Sequence, residues 1–347
     1  MNDTVATQIR QLTPRDIKRW DAFVEQHAEG TFFHLAGWKT VLEQAFGHKA
    51  YYLFAESTTG EIQGILPLGQ VKSYLFGNGL ISTPFCVYGG SIAISNDICN
   101  QLEQAACMLA TQLQVAHLEL RQRIPRETSW QHKDLYVTFR KEIDSDPEKN
   151  LLAIPRKQRA MVRKGIQSGL VSKISNDVDA VHRVYSESVR NLGTPVFSQH
   201  YFRILKEVFG DACEALTVHH GDNIVAGVLS FYFRNEVLPY YGGGSVAARE
   251  LKANDFMYWE VMRRASEHGY QIFDFGRSKQ GTGAYDFKRN WGFEPQPMSY
   301  EFYLVTAKQL PDVNPLNPKY RFFINLWKRL PLPVSRFIGP FLSRNLG

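Results

Sequence analysis

The chain contains one succession of elements twice, and this limits its possible folds more than any other feature. Near residue 50, YYLFAES leads through Thr59-Gly60 to IQGILPLGQV; near residue 215, ALTVHH leads through Gly221-Asp222-Asn223 to IVAGVLSFYF. Both are β-branched and aromatic runs around a short glycine-containing break, the pattern of a hairpin. Gly64-Ile65-Leu66 of the first matches Gly227-Val228-Leu229 of the second. PFCVYGG (84–90) then corresponds to LPYYGGG (238–244), and helical patterns follow over 97–114 and 254–268. Each feeds a short strand, HLELR (117–121) and IFDFGR (272–277), and comparable helices precede both units, WKTVLEQAF (38–46) and QHYFRILKEVF (199–209). Helix, hairpin, strand, helix, strand, twice over, predicts a tandem α/β (α+β) chain with a mixed sheet in each half. The polar stretch Asp144-Ser145-Asp146-Pro147 reads as the linker. The expected division is a domain over 1–145, a second over 146–308 and a tail over 309–347.

Charge locates a second feature. Of 347 residues, 40 are Lys or Arg and 34 are Asp or Glu, a net +6. The last acid is Asp312; beyond it lie Lys319, Arg321, Lys328, Arg329, Arg336 and Arg344, so the whole excess belongs to the tail. A generally basic, nucleic-acid-coating protein is excluded, since the rest is neutral. In the tail, KYRFFINLWKRL places Phe323, Leu326, Trp327 and Leu330 on one face, and PLPVSRFIGPFLSRNL adds Phe337, Ile338, Phe341 and Leu342. A basic, aromatic helix without acids is the pattern of an interfacial anchor, so residues 319–347 are expected at an inner-membrane surface or docked on the body.

Cys86, Cys99, Cys107 and Cys213 form no C-x-x-C pair, which reads as buried thiols in a reducing cytoplasm. The N-terminal MNDTVATQIRQLTPRD carries no apolar stretch, and no 18-residue apolar run occurs. Neither a signal peptide nor a spanning helix is expected. Metal-binding spacings and a G-x-S-x-G elbow are absent.

The run IPRKQRAMVRKGIQ is more specific. At helical pitch Arg156, Lys157, Arg159, Arg163 and Lys164 fall within an arc of about 160°. Met161, Val162 and Ile154 lie largely opposite, Pro155 suits the first turn, and no acid occurs between Glu148 and Asp177. A cationic face of this kind reads as a cradle for an anionic sugar- or lipid-linked diphosphate or for a tRNA backbone.

Four stretches carry a family resemblance: FFHLAGW (32–38), STPFCVYGG (82–90), IPRKQRAMVRKGIQSGL (154–170) and FDFGRSKQGTGAYDFKRNWGF (273–293). With the duplication, they resemble the Fem-type (FemAB) peptidyltransferases, whose two domains each resemble the GNAT acyltransferase fold. The likeness is greatest to the subfamily associated with PEP-CTERM/exosortase and exopolysaccharide systems of Gram-negative bacteria, and it runs to about residue 305. It implies two tandem GNAT-like domains and an enzyme that forms an amide or ester from an activated donor, aminoacyl-tRNA or an acyl-CoA, with no permanently bound cofactor. It also implies that the Phe287-Lys288 pair is the catalytic segment. The residues suit that role, because acyl transfer passes through an oxyanion and Lys288 stands among Tyr285, Phe287, Trp291 and Phe293, where exclusion of water strengthens a cation.

FDFGR supplies Asp274 and Arg277 at a strand end. Arg277 suits a bidentate anion clamp; Asp274 suits orienting that arginine, accepting a proton, or a structural pair. SKQGTGAYD reads as a mobile loop over the site. Tyr240, Tyr241 and glycines 242–244 read either as a groove wall approached by ligand or as a tight turn. His34 and Trp38, at helical spacing, read as packing. The stretch GGGSVAARELKAND lacks the Arg/Gln-x-x-Gly-x-Gly/Ala turn of an acetyl-CoA-binding GNAT domain, which lowers acetyl-CoA as donor. The function expected is therefore transfer of an acyl or aminoacyl group to an amine or hydroxyl of a sugar- or lipid-linked envelope or exopolysaccharide precursor, on the cytoplasmic side. A non-catalytic module binding an anionic precursor, and a tRNA-binding factor, remain as alternatives.

Overall fold

The structure is a computed structural model that describes residues 7–73, 77–126, 129–311 and 318–346, with only the backbone for 318–321. Residues 312–317 of the expected tail and the side chains of Lys319 and Arg321 lie outside the described residues. In chain order the first elements are β1 (Gln8–Gln11), α1 (Ile17–Gln26), α2 (Gly37–Phe46), β2 (Lys49–Glu56), β3 (Ile62–Ser73), β4 (Gly77–Ser82), β5 (Ile92–Ala93), α3 (Asn96–Gln112), β6 (His117–Gln122) and β7 (Gln131–Lys133). There follow β8 (Tyr136–Thr138), β9 (Arg140–Glu142), α4 (Pro147–Ala153), α5 (Arg156–Gln167), β10 (Val171–Ser175), α6 (Val178–Leu192), α7 (Gln199–Phe209), β11 (Cys213–His220), β12 (Asn223–Phe233) and β13 (Glu236–Gly244). The chain ends with α8 (Val246–Leu251), α9 (Ala253–Glu267), β14 (Ile272–Asp274), β15 (Ser278–Lys279), α10 (Gly283–Asn290), β16 (Gln296–Pro297), β17 (Ser299–Leu304), α11 (Pro318–Lys328) and α12 (Leu332–Ser343).

Contacts divide the chain into two units. The first holds the described residues of Met1–Asp134 and Met298–Asp312; the second holds Leu135–Pro297 and the described residues of Val313–Arg344. The division therefore falls some ten residues before the expected 145, β17 belongs with the first unit, and α11 and α12 of the tail belong with the second. Of Asp144 to Pro147, read as a linker, Asp146 caps α4 and Pro147 begins it. The Asp146 side chain accepts from the Glu148 N–H at 2.9 Å, and Pro147 occupies the first turn. Polar residues before a proline cap helices as readily as they link domains.

The duplication is present in the two larger sheets, beside a small third sheet of order β15-β8-β16. In the first unit β2, β3 and β4 form an antiparallel meander, and β6 joins β4 in parallel after the α3 crossover. The order is β1-β2-β3-β4-β6-β17-β7, with β5 on β3. In the second unit β11, β12 and β13 repeat the meander, and β14 joins β13 in parallel after α9. That order is β10-β11-β12-β13-β14-β9. Each crossover helix covers a core. Leu53, Leu66, Leu80 and Leu118 pack with Ile98 and Leu102 of α3, and Val228, Val237 and Phe273 pack with Met257 and Val261 of α9. One detail differs from expectation. The counterpart of LPYYGGG is β4 at 77–82, while 84–90 is irregular, because Pro84 donates no ladder bond and Thr83 and Phe85 take positive φ of 38° and 69°.

Candidate active site

The second unit places its chemistry where β14 ends. β13 and β14 pair only at Glu236↔Ile272 and Val237↔Phe273, after which β13 continues with β12 alone and the chain leaves β14 through Asp274-Phe275-Gly276-Arg277. Asp274 is buried at 1% exposure and paired in register with Arg140 of β9. Its Oδ1 accepts from the Gly276 N–H at 2.7 Å and from the Thr138 hydroxyl at 3.4 Å, and its Oδ2 lies 3.3 Å from Arg140 Nε. Arg140 also pairs with Glu236. The carboxylate thus folds the turn after it. The structure gives it Arg140 as ion-pair partner, where the sequence suggested Arg277, whose guanidinium lies 4.7 Å from the Tyr136 ring centroid.

The turn presents two carbonyls to one cation. Lys288 Nζ donates to Gly276 O and Arg277 O, both at 3.0 Å, and lies 5.6 Å from the centroid of the fully buried Phe139. Lys288 reaches this position from α10, whose cap, Thr282, accepts from the Tyr285 N–H at 3.4 Å and donates to Lys279 O at 2.7 Å. Burial pulls the Lys288 ammonium down to about 7; Asp274 opposes the shift and Arg277 adds to it. With two N–H bonds on carbonyls, the fourth position on nitrogen carries an N–H when protonated and a lone pair when neutral.

Aromatic packing holds the helix. Tyr285 meets Phe139 edge-on at 5.4 Å, and Phe287 packs among Tyr258, Phe275 and Trp291. Trp291 Nε1 donates to Asp255 Oδ1 of α9 at 3.2 Å, and Gln158 of α5 donates to the same oxygen. Burial raises the Asp255 pKa, with those two bonds opposing. A Cβ on Gly292, just past α10, would lie 3.0 Å from Pro155 at the start of α5. The cationic helix and the lysine helix are therefore joined through one carboxylate and one close contact. On α5, Val162 and Gly165 are buried, while Arg156, Lys157, Arg163 and Lys164 are exposed and Arg159 half-buried. Among the described residues none of these five makes an ion pair; Arg159 donates to Leu152 O.

Two expected groove residues lie elsewhere. Tyr241 is buried, its hydroxyl 2.7 Å from that of Tyr201, within a cluster with Tyr185, Phe197 and Phe202. Half-buried Tyr240 packs on Phe231 and Tyr241. The glycines of β13 admit neighbouring helices. A Cβ on Gly243 would stand 2.9 Å from the Tyr185 Cα of α6, and one on Gly242 would stand 2.7 Å from the Tyr258 hydroxyl of α9.

The first unit has its own small concavity, lined by His34, Tyr88, Gly89, Gly90, Arg121 and Gln122 among others. His34 is packed as expected. Its Nδ1 accepts from the Thr31 N–H at 3.2 Å, so Nε2 donates to Gly90 O at 3.0 Å. Arg121, missed from sequence, is buried on Glu119 at 2.8 Å and Cys86 O at 2.8 Å. It stands in HLELR, the counterpart of IFDFGR, so the duplication already pointed to it.

Residues 154–289 match the family described as acetyltransferase (GNAT) domain. The crystal structure of FemX superposes with a TM-score of 0.66 at 15% identity, covering 91% of this chain and all of that one. A tandem GNAT protein from the clavulanic acid biosynthesis pathway superposes at 0.54 with 12% identity, covering 88% of this chain and all of that one. The chain has the tandem GNAT fold. In sequence, this tandem GNAT chain is 29% identical over 89 residues to the lipid II:glycine glycyltransferase of Staphylococcus haemolyticus (strain JCSC1435), which is 24% of this chain. It spans about a fifth of the length of that relative.

Proposed function

We propose that the protein is an acyltransferase that moves an activated aminoacyl or acyl group onto an amine or hydroxyl of a lipid- or sugar-linked envelope precursor. The observation that carries this is Lys288, a half-buried cation fixed by the Gly276 and Arg277 carbonyls with one N–H left over. The acceptor's lone pair attacks the donor carbonyl carbon, the π electrons move to oxygen, and that remaining N–H bonds the oxyanion. Collapse expels the tRNA ribose oxygen or the CoA thiolate, which leaves with the proton the acceptor loses. Asp274, enclosed by Thr138, Arg140 and the Gly276 N–H, is assigned to positioning: it holds the turn whose carbonyls fix Lys288. Arg277 and the five cations of α5 are assigned to the anionic part of donor or acceptor. Tyr285 and Phe287 support Lys288 through their packing on Phe139 and Tyr258.

A lipid-linked acceptor is supported by the lipid II substrate in the staphylococcal relative's name. Membership of the PEP-CTERM/exopolysaccharide-associated subfamily, aminoacyl-tRNA as donor and a cytoplasmic site of action belong to the same proposal, resting on the stretches quoted above. The test supplies the protein with radiolabelled aminoacyl-tRNA, or separately labelled acyl-CoA, and a bacterial lipid extract. Label appearing in the lipid fraction with one donor supports the reading. Tight binding of the extract with no transfer from either donor replaces it with the binding-module alternative.

A further inference from the structure

The tail turns its apolar side outward. On α12, Ser335, Gly339 and Ser343 recur at every fourth position, and all three are buried. Ser343 Oγ donates to Val196 O at 3.0 Å, and a Cβ on Gly339 would stand 2.9 Å from the Val196 nitrogen. Arg336 donates to the Ser186 hydroxyl at 2.7 Å and to Arg183 O at 2.9 Å, which fastens the helix to α6. This small, polar face docks, so the opposite stripe faces water: Val334 at 38% exposure, Phe337 at 74%, Ile338 at 39% and Phe341 at 61%. That inverts the usual amphipathic arrangement. On α11 Trp327 is buried at 3%, while Phe322 at 77% and Leu326 at 53% are exposed. Solvent alone does not favour so many exposed large apolar groups on two adjacent helices.

The charge indicates what covers this face. Exposed Lys328 and Arg329 close α11, and no acid follows Asp312. A second copy would bring the same cations against each other, whereas a sheet of lipid phosphates offsets them. We propose that the outer faces of α11 and α12 insert into the headgroup layer of an anionic lipid bilayer, with the aromatic rings at acyl-chain depth and the cations among the phosphates. This deepens the proposed function by naming the surface on which a lipid-linked acceptor is met, but it is read without any donor.

The test is co-sedimentation of the full chain with phosphatidylcholine vesicles, with and without phosphatidylglycerol. The wild type is expected to bind the anionic vesicles more tightly, and added salt is expected to release it. Phe337→Ser with Phe341→Ser, at exposed positions, is expected to lower partitioning at least about tenfold with an unchanged melting curve. Lys328→Glu with Arg329→Glu is expected to abolish the preference for phosphatidylglycerol. Failure of the wild type to bind either vesicle, or equal binding by the phenylalanine variant, overturns the proposal. A wild-type dimer that the phenylalanine variant dissociates, without vesicle binding, overturns it in favour of a second copy. Absence of transfer activity with vesicle binding intact removes the proposed function and leaves this one standing.

Discussion

Lys288 exchanges hydration for two carbonyl oxygens and the face of Phe139, and its charge is consequently easy to remove. With its pKa near 7, an oxyanion role requires the protonated form. The expected outcome is that kcat/KM falls as pH rises through about 7; a rise over the same interval would mean that the neutral amine acts as a base. Stability gives a second reading of the same side chain. Between about 7 and the ordinary lysine value the unfolded chain binds the extra proton, so stability rises with pH there, and the full cost of the buried charge is felt below 7. Lys288→Met is therefore expected to stabilise by about 1–3 kcal/mol at pH 6, the gain shrinking toward pH 10, as followed by urea unfolding. Lys288 was singled out in the sequence by its aromatic neighbours and the family resemblance. Its supports were not: Thr138 and Arg140 lie more than a hundred residues before Asp274, and only the β9–β14 register brings them to it.

At the scale of elements, α5 and α10 share Asp255. Removing that acceptor in Asp255→Ala leaves the Gln158 amide and the Trp291 indole without their partner, and is expected to cost about 1–3 kcal/mol in urea unfolding. Lys157 and Arg163 of α5 are exposed and make no ion pair among the described residues, so Lys157→Glu with Arg163→Glu is expected to leave stability unchanged. The same change should raise KM for an anionic substrate on the order of tenfold, with a weaker salt dependence, as initial rates would show. The helices were readable because their burial follows a 3.6-residue period; α7 begins and ends where the sequence pattern does, at 199 and 209. The glycines of β13 left two readings open, ligand approach or a tight turn, because sequence shows only that something comes close. The helices α6 and α9 are what approach. β17 was illegible as the return strand of the first unit, since an isolated six-residue alternation does not declare a partner some 180 residues away.

For the whole molecule, the duplication accounts for two meanders each completed by a helix and a parallel strand, and its two strand-end motifs have diverged. In HLELR the arginine Arg121 is buried on Glu119, whereas after IFD the chain turns to hold a lysine from α10. The basic tail stays with the second unit, α12 resting on α6 through Arg336 and on Val196 through Ser343. The measurement that bears most directly on the proposed chemistry is single-turnover transfer from the donor that proves active, compared between wild type and Lys288→Ala at pH 6.5 or so. A rate lowered about 10²- to 10³-fold, with donor and acceptor binding unchanged, is the expected result. A variant that folds, binds and transfers at the wild-type rate would contradict the assignment of Lys288 and, with it, the site.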